Sequence, residues 1–220
     1  VTQAVAPYLA QDGYMVSLQN CMNEDIIAAV VGRERTVGVI ASMISVELYE
    51  AGRIRRMAEK GGDKHTVFRA GEIDGRITGR VKELVDRFAT IDSAKATTNL
   101  QGERWTKLTQ NSMRNGFSAA TGMTGRDCDN NEAIRRLSIQ VGGEAIRVGR
   151  ALGYQVEKMG ELMPDQIEKA AAGDPAMLAE VEQIMMTRTA ANPRAGIQRP
   201  SMAQDMKKGR KTEIEFMNGL

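Results

Sequence analysis

The sequence predicts an α/β architecture over residues 1–100 followed by an all-helical one over residues 101–220. Two observations predict this. The first hundred residues alternate short apolar runs with segments of helical periodicity, the order expected of a mostly parallel sheet covered by helices. From Gln101 onward the apolar residues recur at helical spacing, with no convincing strand between them. The length of 220 residues fits a small two-domain protein.

The chain opens in a helix-like pattern, Val1 to Gly13. Tyr14 to Gln19 (YMVSLQ) then reads as a strand, Glu24 to Val31 as a helix, and Thr36 to Ser45 as a second strand. Arg53 to Glu59 and Thr66 to Arg69 read as two more strands, and Arg76 to Ile91 as an amphipathic helix. In such a sheet, ligands are expected beyond the carboxyl ends of the strands. The second half reads as helices over 101–122, 130–152, 163–172, 174–189, 201–208 and from 212 onward. Gly153 is placed to end the second of these as a C-terminal glycine, and Asp174-Pro175 to start the fourth as N-cap and first-turn proline. Ser201 with Gln204 and Thr212 with Glu215 have capping-box spacing, after a loop from Ala190 to Pro200.

Bulk composition narrows the function. Apolar residues make up 42% and charged residues 26%, and 30 basic against 28 acidic residues leave a formal charge of +2, as in ordinary globular proteins. The densest basic run, Lys207 to Lys211, is followed at once by Glu213 and Glu215, and one Trp and four Phe offer little for base stacking, which argues against nucleic acid. The longest apolar stretch, Val37 to Ser45, is half a membrane span, and no signal-peptide pattern opens the chain, so neither membrane nor secretion is expected. Cys21 and Cys128 are too few for a disulfide framework, and no metal-binding spacing occurs, so a reducing cytoplasm is expected. His65 lies in a charged stretch and reads as a solvated loop residue. The 14 Met offer either core filling or adaptable packing surfaces, which leaves a homodimer open. Neither end reads as a natural terminus, so a fragment is expected.

Three groups of residues could carry chemistry. Lys107, Asn111 and Asn115 are four apart, and on one helix they drift only about 40° per step, forming one polar ridge. The ridge is either a solvent face or a binding surface. Two asparagines one turn apart favour hydrogen bonding to a ligand, since exposed faces normally collect better helix formers. A lysine whose pKa is lowered can donate its proton to a developing alkoxide, and Asn offers both donor and acceptor. In the tail, Ser201 either caps its own helix or helps to hold a substrate carboxylate, and Glu213 reads first as a complement to a helix dipole. Asn20, at the end of the first strand, is a turn residue or a ligand contact.

Taken together, Gln19-Asn20 at a strand end, ERWTKLTQNSMRN on a helix, EAIRVGRALG at a helix end and RPSMAQDMKKGRKTEIEFMNG in the tail resemble the ketopantoate reductase (2-dehydropantoate 2-reductase) family over nearly the whole chain. The motifs W-x-K-L-x-x-N-x-x-x-N and S-M-x-Q-D-x-x-x-G-R-x-T-E-I are long, ordered and correctly spaced. The resemblance implies the later part of a Rossmann-like NADP-binding domain over 1–100 and a helical substrate-binding and catalytic domain over 101–220. It implies NADPH-dependent reduction of a 2-keto acid, ketopantoate, to the 2-hydroxy acid pantoate, in pantothenate biosynthesis. Carried over residue by residue, Lys107 matches the general acid, Asn111 and Asn115 the substrate-binding asparagines, and Ser201 the serine that holds the substrate. Glu213 matches the glutamate near cofactor and lysine, and Asn20 the asparagine at the cofactor–substrate junction. Two departures stand out. Cys21 and Asn23 replace both glycines of the family's Q-N-G-x-G, and no G-x-G-x-x-G follows a strand, so poor NADPH binding is expected of the chain as given. Two alternatives stay open: action on another 2-keto acid, or a non-catalytic helical interaction module.

Overall fold

The computed structural model describes residues 1–197 and 199–219, so the expected 190–200 loop and final helix fall outside it at Gln198 and Leu220. The chain divides into two compact units, Val1–Arg104 and Trp105–Leu220, the division falling within one helix.

In the first unit the helix-like opening yields only a four-residue helix, α1 (Thr2–Val5), followed by a 3₁₀ turn over Ala6–Tyr8. Pro7 lacks the backbone donor that would carry the helix further. There follow β1 (Met15–Ser17), α2 (Glu24–Val31), β2 (Thr36–Ala41), β3 (Val46–Glu50), β4 (Arg53–Arg56), β5 (Phe68–Glu72), α3 (Gly79–Ala89), β6 (Ala94–Ala96) and the start of α4 (Leu100–Ser112). Four strands pair in the order β1-β2-β5-β6, and β3 and β4 form a separate hairpin. The sheet is mixed rather than mostly parallel: Val16 pairs with Val37 and Phe68 with Ala94 in parallel, but Val39 meets Ala70 antiparallel. A parallel partner needs a crossover connection, usually a helix. Between β2 and β5 the chain makes the β3–β4 hairpin instead, and β5 returns antiparallel.

Two of these strands were not expected. In β3 every residue is at least partly exposed, so burial leaves no apolar signature, and β6 is Ala-Lys-Ala, built on poor strand formers. The core of the unit is Val37, Val39, Ala70, Val81 and Leu84, with the rings of Phe68 and Phe88 4.7 Å apart. The loop after β4 is closed by Asp92, whose carboxylate accepts from the backbone N–H of Ser93 and Gly61 and pairs with Arg56. Burial alone would raise its pKa; those donors, with the N–H of Gly62, outweigh burial and hold it at about 2. His65 is half-buried, its Nε2 enclosed and without a hydrogen-bond partner among the described residues, rather than on a fully solvated loop.

The second unit is helical: the rest of α4, then α5 (Asn115–Thr121), α6 (Gly125–Asn130), α7 (Glu132–Ala151), α8 (Pro164–Ala171), α9 (Pro175–Ala191), α10 (Ser201–Lys207) and α11 (Ile214–Met217). Its core gathers Met113, Ile139, Ile146, Ile167, Val181 and Met185. α7 ends as its glycine predicts: Gly153 has φ +82°, its N–H bonds to the Arg150 carbonyl, and the Tyr154 N–H bonds to that of Gly149. This double closure satisfies two of the carbonyls a helix end leaves open. Asp174 caps α9, its Oδ1 accepting from the N–H of Ala176 and Met177 at 3.0 and 3.1 Å, with Pro175 in the first turn.

The two tail capping boxes do not form. Pro200 is the N-cap of α10 and places Ser201 in the first turn, while Glu213, not Thr212, is the N-cap of α11, and neither residue's side chain caps its own helix. Gln204 instead donates to the Arg199 carbonyl at 3.0 Å. Among the described residues no helix is long and apolar enough to cross a membrane, and no group of three or more His, Cys, Asp or Glu could hold a metal.

Candidate functional site

The helix expected over 101–122 is two helices. α4 stops at Ser112, Arg114 has φ −130° and ψ −45°, and α5 starts at Asn115. Several local choices break the rod. The hydroxyls of Thr109 and Ser112 donate back to the carbonyls of Trp105 and Thr109 at 3.0 and 2.8 Å, a competition that bends helices. The Arg114 N–H closes a tight turn onto the Asn111 carbonyl, and its guanidinium is drawn to the buried Asp129 carboxylate at 2.6 Å and to the Gly125 carbonyl at 2.7 Å. The Ser112 carbonyl accepts from Asn218 Nδ2 at 3.2 Å, so the tail is fastened at the break.

The three-residue ridge is therefore corrected to a two-residue one. Lys107 and Asn111 share a face of α4, one turn and about 6 Å apart at Cβ, and both are half-buried. Asn115 opens the next helix and is 5% exposed. A half-buried lysine keeps a hydrated ammonium within reach of a ligand, whereas an asparagine so enclosed normally has its amide partnered.

What sets α4 in place is Trp105. Its indole N–H donates to the Ala145 carbonyl at 2.8 Å, its ring lies 5.3 Å from that of Tyr154, and it packs against Gly149, where a Cβ would come within 2.2 Å of Nε1. Thr106 adds a second tie, its Oγ1 accepting from the Glu157 N–H at 2.8 Å. Trp105 thus locks the helix on which the half-buried Lys107 stands.

The tail residues come together. α10 packs on α5, burying Met202 and Ala203, and leaves Ser201 exposed at its start. The Ser201 hydroxyl donates to Glu213 Oε1 at 3.4 Å, and Glu213 is half-buried. α5, α10 and α11 thereby bring together the helix begun by Asn115, the hydroxyl of Ser201 and the carboxylate of Glu213. The same unit also carries Lys107 and Asn111 on α4, so its polar groups include a cation, amides, a hydroxyl and a carboxylate.

Asn20 belongs to the first unit, in the turn between β1 and α2, with its carbonyl accepting from Asn23 Nδ2. Cys21 beside it has φ +68°, the left-handed conformation that glycine adopts freely and that costs other residues roughly 1–2 kcal/mol. Arg104 escaped the reading of the sequence. Its side chain is buried with Glu24 and donates to the Ser17 carbonyl at 2.8 Å.

Fold and site define a class: an α/β unit followed by a helical unit whose polar groups stand on α4, α5, α10 and α11. The chain belongs to the family described as Ketopantoate reductase PanE/ApbA C terminal, which matches residues 99–220. A curated relative, the 2-dehydropantoate 2-reductase of Archaeoglobus fulgidus, is 26% identical over 221 residues, covering 99% of this chain but only 64% of the relative. Among solved structures, a PanE/ApbA family ketopantoate reductase from Ralstonia eutropha JMP134 is similar with a TM-score of 0.73 at 21% identity, over 99% of this chain and 61% of that one. A D-mandelate dehydrogenase in complex with NADH is similar with a TM-score of 0.74 at 18% identity, over 99% and 65%. The chain therefore spans less than two thirds of these relatives' own lengths.

Proposed function

We propose that this chain carries the substrate-handling part of an NADPH-dependent reductase of 2-keto acids, with ketopantoate reduced to pantoate as the leading reaction. The single observation behind this reading is the half-buried Lys107–Asn111 pair on a helix locked by Trp105, in a chain of the ketopantoate reductase family. The residues present do not fit a whole dinucleotide, because no G-x-G-x-x-G turn occurs among them to cradle a pyrophosphate. Bound in the whole protein, NADPH would supply the hydride that reduces the ketone carbon.

The part played by this chain is positioning and protonation. Lys107 Nζ gives its proton to the ketone oxygen as that oxygen becomes an alkoxide, and the neutral amine regains a proton from water. Asn111 and Asn115 hold polar oxygens of the substrate, and on binding the Ser201 hydroxyl turns its single proton from Glu213 to the substrate's carboxylate. By the family resemblance, Asn20 is assigned to the junction of cofactor and substrate and Glu213 to the cofactor side. A second reading, reduction of a different 2-keto acid, uses the same residues, since none of them separates a branched hydroxy-ketoacid from an aromatic one.

A panel assay distinguishes the readings. The whole protein, supplied with NADPH, is expected to turn over ketopantoate with a kcat/KM at least tenfold above that for benzoylformate or 2-ketoisovalerate. A reversed order would support the second reading, and no NADPH consumption with any of them would overturn both.

A further inference from the structure

We infer that Arg104 is a positioning residue, holding through its buried contacts with Glu24 and the carbonyls of Ser17, Gln19 and Val39 the turn that presents Asn20. The inference rests on the reading of Asn20 given above. Arg104 is 2% exposed and Glu24 1%. Most of the guanidinium's donors go to the segment from Ser17 to Glu24, with one further contact to Val39 in β2. Nε bonds to Glu24 Oε1 at 2.8 Å, Nη1 to the Gln19 carbonyl, and Nη2 to the carbonyls of Ser17 at 2.8 Å and Val39 at 3.2 Å, with the Ser17 hydroxyl at 3.2 Å.

These contacts close a ring. Ser17 and Gln19 are the last residues before the turn, and Glu24 is the first residue of α2 after it, so one planar group grips both ends of the segment containing Asn20. The Gln19 carbonyl and the Asn20 N–H belong to one peptide plane, so anchoring that carbonyl also fixes the direction of the Asn20 N–H. The left-handed Cys21 sits inside the same ring, a strained conformation that persists only where its surroundings impose it.

The pair is poorly arranged for stability alone. Glu24 Oε2 is buried without a hydrogen-bond partner among the described residues, and a buried ion pair with an unsatisfied oxygen is often no better than an apolar pair of the same volume. What this pair does supply is the five-donor fork of arginine, which reaches several carbonyls at once; a lysine ammonium cannot span them. The ring reads as a device for shape.

Arg104→Lys in the whole protein tests this, with Arg104→Met combined with Glu24→Leu as a second variant that removes both charges together should the first not fold. Hydrogen exchange of the peptide covering 17–24 is expected to quicken at least tenfold, with β2 and β5 unchanged; equal quickening across the sheet, or none, overturns the inference. In kinetics, Asn20→Ala is expected to lower kcat/KM about tenfold in the wild type and less than threefold in the Arg104→Lys background, because Asn20 is already misplaced there. An equal loss in both backgrounds overturns the inference while leaving the reductase reading intact. A wild type inert toward every 2-keto acid overturns the reductase reading, and the exchange measurement then still decides the clamp.

Discussion

At the residue scale, the separation of Lys107 and Asn111 on α4 from Asn115 at the head of α5 assigns them unequal work. On the proposed reading the half-buried Asn111 binds the substrate in the ground state as well as in the transition state. Asn111→Ala is expected to raise KM for the keto acid about tenfold with kcat within threefold, read from steady-state kinetics. That Lys107 and Asn111 share a face of α4 was legible because residues four apart lie on one side of a helix. Arg104 and Asn218 were not, since their partners are backbone carbonyls far off in sequence, Ser17 and Ser112, and a carbonyl leaves no trace in a side-chain pattern. Cys21, which stands where the family pattern has glycine, takes a left-handed φ of +68° that glycine adopts freely.

At the scale of elements, the seating of α4 on α7 depends on a glycine. A Cβ at position 149 would overlap Trp105, so Gly149→Ala must push the indole away and cost about 1–3 kcal/mol. Because Trp105 is the only tryptophan, its emission is expected to shift to the red together with the fall in urea midpoint. The loop closed by Asp92 has a pH signature. Its carboxyl titrates near 2 in the folded chain against an ordinary 3.8, so its stabilisation is fully present above pH 3.8 and is lost as the pH falls through 2. Urea midpoints across that window are expected to fall less steeply with acid for Asp92→Asn than for the wild type. Helix ends carrying an unambiguous signal, Asp174-Pro175 and Gly153, were legible; the tail capping boxes were not, because Pro200 and Glu213 take the cap positions one residue away from the motif. The antiparallel step between β2 and β5 was hidden because a hairpin stands where a crossover helix was expected.

At the scale of the whole molecule, the order of an α/β unit before a helical one could be read from periodicity, and membership of the ketopantoate reductase family from two long motifs. The chain spans 64% of its Archaeoglobus fulgidus relative, and on the proposed reading its part in the reaction is the handling of the substrate. The most direct measurement is NADPH consumption by the whole protein on ketopantoate, comparing the wild type with Lys107→Ala. The expected result is turnover by the wild type and a kcat lower by about 10²–10⁴ in the variant, with an unchanged urea midpoint, as for loss of a general acid. Equal turnover by the two proteins would contradict the assignment of Lys107 as the proton donor.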